Sequence, residues 1–284
     1  MNEVQKAIVV GIDGSEESRH AMAWAFDEAG RTHRHVHLLH VAYDYTYPGL
    51  VDGIMRNEFE AAALAVLEQA RAEIPDDLKV PVTADWVWGT PAKALVDASA
   101  EAHMIVMGTR GHGRFMSGPL GSVSQHVMRH ASCPVAVARP TDGAGTRVIV
   151  GFDPATPDPA LQIAFDEATT RDLPLTVLRA WHVPAFAGPG LGVPATGYDA
   201  EDVERAERTI AEEQLQEWRG KFPDITVDIE LTRGHPADVL VEASSGSDLV
   251  VVGSHGRGWF AGLLLGSTGA AVAAHAHSTV LVAR

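Results

Sequence analysis

Two stretches of the chain are copies of one another: V-M-G-T-R-G-H-G-R-F-M-S-G-P-L-G-S from Val106, and V-V-G-S-H-G-R-G-W-F-A-G-L-L-L-G-S from Val251. Aligned without a gap, residues 105–139 and 250–284 agree at 15 of 35 positions, among them Gly108/Gly253, Gly111/Gly256, Gly113/Gly258 and Gly121-Ser122/Gly266-Ser267. The repeat reaches upstream, with G-T-P-A-K-A-L at Gly89 matching G-H-P-A-D-V-L at Gly234, and V-V-G-I-D at Val9 matching I-V-G-F-D at Ile149. Such a chain must fold as two like units, each of about 140 residues, a size that supports its own core. We expect domains at 1–139 and 147–284, with 140–146 as linker.

The spacing of apolar residues sets the fold class. Residues 6–12 form an apolar run ending at Asp13, followed by a stretch in which Ala21, Ala25 and Ala29 share a helical face. Further strands are expected at 35–42, 80–87, 104–108 and 135–138, with helices at 58–72, 91–100 and 120–130 between them, and the second copy follows suit. Strands separated by helices imply parallel crossovers, and uninterrupted runs such as Ile105-Val106-Met107 and Leu249-Val250-Val251-Val252 imply burial on both faces. The class is α/β, with a parallel sheet in each half.

In such sheets ligands bind beyond the carboxyl ends of the strands, where the strand order reverses. Two loops in each copy occupy that position: Gly11-Ile12-Asp13-Gly14-Ser15 after the first strand, and 108–122 after the fourth, of the form G-x2-G-x9-G-S. Its glycines permit close approach of a ligand, and Gly121-Ser122 brings free N–H groups to a helix start, whose positive end favours phosphate. Asp13 suits ribose hydroxyls or a divalent cation such as Mg2+ instead. A single glycine is ordinarily a turn or a packing contact; the same spacing kept in two diverged copies favours a ligand. The net charge of −15 repels nucleic-acid backbone, so an anion has to be held locally, and more weakly in the more acidic second half.

Other classes are excluded or disfavoured. No apolar run approaches the ~20 residues of a membrane span, and the polar start is no signal peptide, so the expected location is the cytoplasm with no membrane contact. One cysteine, Cys133, precludes an internal disulfide and reads as a packed side chain. The sequence contains no G-x4-G-K-[ST], G-x-G-x-x-G or G-x-S-x-G motif. His33, His35, His37 and His40 cluster around the second strand, but the second copy lacks them, so they read as strand-end or surface residues rather than a metal site.

A strand ending in G-x-D-G-S, the G-x2-G-x9-G-[ST] loop and a closing apolar strand resemble the universal stress proteins, in their tandem two-domain form and in the variant that accompanies ATP binding. The resemblance implies an open five-stranded parallel sheet of order 3-2-1-4-5 with helices on both faces, in each half. It implies adenine and ribose contacts at Gly11, Ile12, Asp13 and Val41, and phosphate contacts at Gly108, Arg110, Gly111, Gly121, Ser122, Val123 and Ser124. The matching positions in the second copy are Gly151, Phe152, Asp153, Ala180, Gly253, His255, Gly256, Gly266, Ser267 and Thr268. There Gly14-Ser15 becomes Pro154-Ala155, and Ser124 becomes Gly269. ATP is expected in both halves, the first binding better.

The resemblance also implies edge-to-edge pairing of the last strands, here 134–139 with 279–284 within one chain, covering edges that invite aggregation. It further implies a homodimer of tandem chains and unidentified protein partners, for which the segments 43–53 and 184–197 are the expected contacts. Three functions follow: an ATP-dependent stress regulator, an ATP hydrolase, or a nucleotide-free interaction module. Hydrolysis needs a positioned base and charge stabilisation. The loop offers Arg110 and Arg114 beside Asp13 but no lysine, so at most slow turnover is expected.

Overall fold

The computed structural model describes residues 6–43, 54–111, 118–140, 145–154, 159–182, 199–254 and 265–284. The first half contributes β1 (Ile8–Ile12), α1 (Glu16–Thr32), β2 (Val36–Tyr43), α2 (Ile54–Ala72), β3 (Val82–Gly89), α3 (Pro91–Ala98), β4 (Met104–Gly108), α4 (Ser122–His130) and β5 (Val135–Ala138). The second contributes β6 (Val148–Gly151), α5 (Pro159–Arg171), β7 (Leu175–Trp181), α6 (Ala200–Lys221), β8 (Val227–Arg233), α7 (Pro236–Ala243), β9 (Leu249–Gly253), α8 (Ser267–His275) and β10 (Thr279–Ala283).

Local chemistry sets the helix ends. Ser15 caps α1, its side chain accepting from the Ser18 amide, and Glu16 and Glu17 in the first turn complement the helix dipole. Ala21, Ala25 and Ala29 are fully buried along one face, and His33 ends the helix in the left-handed conformation at φ 54. Pro91 and Pro236 open α3 and α7, where a missing amide costs nothing.

All ten strands form one sheet of order β3-β2-β1-β4-β5-β10-β9-β6-β7-β8, so each half has the order 3-2-1-4-5. Pairing within a half is parallel. The halves join through antiparallel β5 and β10, with Val137 opposite Val280, Ala136 opposite Leu281 and Val135 opposite Val282, all buried. The two last strands thus cover each other's edges, as expected. The helices α1, α2, α5 and α6 cover one face of the sheet and α3, α4, α7 and α8 the other, and each face carries one core running through both halves.

The junction is nearly two-fold. Arg139 donates to the Ala273 carbonyl of α8, and its counterpart Arg284 donates to the Met128 carbonyl of α4. On the opposite face α1 meets α5 around the buried Arg171, whose guanidinium bonds Glu28 at 2.7 Å, Asp248 at 2.8 Å and Glu167 four residues before it. Among the described residues no helix is long and apolar enough to cross a membrane.

Candidate functional site

The reversal in strand order lies between β1 and β4, and the two expected loops leave those strands side by side. Gly11 ends the core of β1, where a side chain would lie 3.0 Å from Leu95 Cδ1 of α3; Gly151 is placed identically, 2.9 Å from Leu240 Cδ1 of α7. These two glycines admit helix packing. Ile12 is buried, and its carbonyl lies 2.9 Å from His40 Nδ1. Asp13 follows, its Oδ1 accepting from the Ser15 amide at 3.0 Å and the Ser15 hydroxyl at 2.5 Å. Val41 on β2 is buried in the core below this loop.

From the other side comes the loop after β4. A Cβ on Gly108 would stand 2.7 Å from the Glu17 backbone oxygen, and one on Gly111 would collide with the Asp13 carboxylate. Gly108 therefore excludes a side chain, whereas one at Gly111 would require the Asp13 carboxylate to turn aside; the two loops meet at Asp13 and Gly111. The Gly121 amide donates to the Thr109 carbonyl at 2.8 Å, closing the base of the loop. Gly121 is the N-cap of α4, no side chain among the described residues caps that helix, and in its first turn Ser122 is exposed and Val123 half-buried. Ser124 points inward instead, its buried hydroxyl donating to the Gly108 carbonyl at 3.0 Å. Arg110 is exposed at the start of the loop, whose middle, 112–117, lies outside the described residues.

The second half repeats the frame with altered chemistry. The Gly266 amide donates to the Ser254 carbonyl at 2.8 Å, matching the closure by Gly121, and α8 likewise starts without a side-chain cap, with Ser267 exposed and Thr268 half-buried. Gly269 replaces Ser124 and would bring a Cβ to 3.2 Å from the Gly253 carbonyl oxygen. Phe152 and Ala180 are buried. Asp153 faces Arg179, whose guanidinium lies 3.6 Å away and is held by Glu207 of α6 at 2.9 Å. His255 and Gly256 lie outside the described residues, as do most of the segments 43–53 and 184–197.

Sequence reasoning missed Glu17, which fixes the space at Gly108, and Arg179, which stands on β7 where β2 carries His40. The second was findable: the same alignment that pairs Gly11 with Gly151 replaces an imidazole by a guanidinium beside the loop aspartate. Of the clustered histidines, His37 Nδ1 contacts Thr83 Oγ1 at 2.9 Å and His40 the Ile12 carbonyl. Among the described residues no three potential ligands gather as a metal would need.

The profile of the Universal stress protein family matches residues 5–139 and again 146–284. A universal stress protein of Mycobacterium tuberculosis is 35% identical over 294 residues, covering 99% of this chain and 97% of its own. One of Mycolicibacterium smegmatis is 35% identical over 290 residues, covering 98% and 96%. Among solved structures, a universal stress protein from Archaeoglobus fulgidus shares the fold at a TM-score of 0.70 and 20% identity, covering 98% of this chain and 96% of that one.

Proposed function

The chain belongs to the universal stress protein family, in tandem form, and from that premise we propose that it binds ATP at the carboxyl ends of its strands and acts as a nucleotide-dependent regulator. The observation that carries the reading is the meeting of the two loops at Asp13 and Gly111, directly before a helix whose first amides have no side-chain cap. This supports a phosphate cradle: backbone amides hold an anion without a charged side chain and so work inside an acidic protein. Gly108, Gly111, Gly121, Ser122 and Val123 would face the phosphates, with Arg110 at the rim. Ser124 would act from behind, fixing the Gly108 carbonyl. Asp13 would accept from ribose hydroxyls or hold the Mg2+ that travels with the nucleotide.

The second half would bind through Asp153, Gly253, Gly266, Ser267 and Thr268, more weakly, because the brace that Ser124 gives Gly108 is lost at Gly269 and this half is the more acidic. The domains run over 1–139 and 147–284, and the regulated output is a surface read by protein partners in the cytoplasm.

Mass spectrometry of nucleotide released from freshly purified protein, followed by calorimetric titration with MgATP, tests the reading. Release of ATP, or saturable binding, is expected. Gly111→Glu drives a carboxylate into the Asp13 carboxylate and should abolish binding in the first half. Undiminished stoichiometry in that variant, or no binding in the parent, refutes the assignment.

A further inference from the structure

We propose that the face of α1 around Glu28 is a half-site for a helix carrying a glutamate followed four residues later by an arginine, so that the first half docks on a second half of this chain and rejects another first half.

The reasoning starts from two helices of common descent. Ala25-Phe26-Asp27-Glu28-Ala29 of α1 and Ala164-Phe165-Asp166-Glu167-Ala168 of α5 are the same sequence, so Glu28 and Glu167 stand at equivalent places on the near two-fold junction. Their side chains are 1% and 10% exposed, and a single guanidinium, 1% exposed, reaches both. That arginine has no twin. Four residues after Glu28 stands Thr32, its hydroxyl returned to the Glu28 carbonyl at 2.7 Å.

The surroundings diverge in a complementary way. Arg171 lies over the ring of Trp24 on α1, 5.7 Å from its centroid, whereas α5 carries Ile163 in Trp24's place. Asp248, the third carboxylate on Arg171, corresponds to His103 in the first half. Burial, Arg34 and Lys6 hold that imidazole at about 4, so it is neutral and adds no charge. One face thus offers glutamate and tryptophan; the other offers glutamate, arginine and aspartate.

Two first halves meeting through this face would bring Glu28 against Glu28 with threonines beside them. Two desolvated carboxylates without a cation are strongly unfavourable, and the loss of one partner from a buried pair costs a factor of about a hundred to a thousand in an equilibrium constant. Two second halves would have arginines but neither tryptophan. The assembled junction needs one of each, which is discrimination by a repulsive arrangement in the wrong pair as much as by attraction in the right one.

The test uses full-length chains and amide hydrogen exchange of β5 and β10. Arg171→Thr leaves Glu28, Glu167 and Asp248 without their shared cation, and protection of the junction strands should fall about a hundredfold to a thousandfold. Moving the arginine to the other helix, Arg171→Thr with Thr32→Arg, should restore at least tenfold of that loss, because Glu28 and Glu167 are equivalent. Protection within threefold of the parent in Arg171→Thr, or a loss that the exchange leaves unrestored, overturns the proposal. If Arg171→Thr is insoluble, the exchanged variant decides alone: a folded chain with a protected junction supports the pairing rule, and an insoluble one refutes it.

Discussion

Glu167 gives the junction a pH dependence whose sign is opposite to that of an ordinary paired carboxylate. Burial disfavours its charged form first, and Glu28 adds repulsion; Arg171 pulls the other way without overcoming them, with Asp166 a further repulsive neighbour and Asp248 on the same guanidinium. The carboxyl is pushed from 4.5 up to about 7. Between those values the folded chain holds a proton that the unfolded chain has released. Stability contributed by this group is therefore full below 4.5, is lost as pH rises towards 7, and changes no further above it. Linkage with these two values gives a loss of about 2–3 kcal/mol between pH 5 and pH 8. Other carboxylates titrate in the acid range, so the informative quantity is a difference. Urea unfolding of the parent and of Glu167→Gln, measured across that range, should show the parent losing about 2–3 kcal/mol relative to the variant as pH rises. A difference that stays constant, or that grows in the parent's favour, would refute the account of Glu167.

Two further outcomes follow from packing. Phe165 is fully buried and stacks on Trp218 at 5.4 Å and Phe222 at 4.9 Å, whereas its counterpart Phe26 has no such stack among the described residues. Both truncations to alanine should cost about 3–5 kcal/mol in urea unfolding, Phe165→Ala the more by about 0.5–1.5 kcal/mol for each aromatic pair; equal costs would contradict the stacking argument. Burial pushes the Cys133 thiol up to about 11. At pH 8 the native thiol should resist alkylation and react promptly once the chain is unfolded, as mass spectrometry of timed samples would register.

How much was legible in the sequence depended on where each element sits. β4 and β5 fall at the expected 104–108 and 135–138, because strands buried on both faces are uninterrupted apolar runs with clear ends. β3, at the sheet's edge, lies two residues later than expected: its bounds follow the pairing of Val36 with Val82 through Tyr43 with Gly89, not its own partly exposed pattern. α2 starts at Ile54, four residues before the strongly helix-forming run that opens at Glu58. In the crevice, the meeting of the two glycine-rich loops was readable from glycine spacing. The inward turn of Ser124 and the pairing of Asp153 with Arg179 were not, for both depend on partners brought close only by the fold. Glu28 and Glu167 look in sequence like solvent-facing helix charges; Arg171 is near Glu167 on α5 in sequence, but it reaches Glu28 from 143 residues away.

Joining two like domains in one chain lifts a constraint that binds symmetric pairs. Across a true two-fold every contact occurs twice, so each surface must suit itself. The contacts of Arg139 with Ala273 and of Arg284 with Met128 still obey that rule. Arg171 does not: one cation placed off-centre serves two equivalent glutamates, an arrangement that a symmetric pair would have to duplicate or forgo. The same freedom reaches the crevices. In the first, Asp13 accepts from its own loop through Ser15 and Ser124 braces Gly108. In the second, the brace is gone at Gly269, and Asp153 faces a guanidinium that α6 holds through Glu207. Because Glu207 shares that guanidinium, the three groups together keep a net negative charge, so an anion entering the second crevice gains nothing from Arg179 unless Asp153 turns away. The divergence that let the halves recognise each other thus runs alongside one that sets their crevices apart, and both were free to arise once a single chain carried both copies.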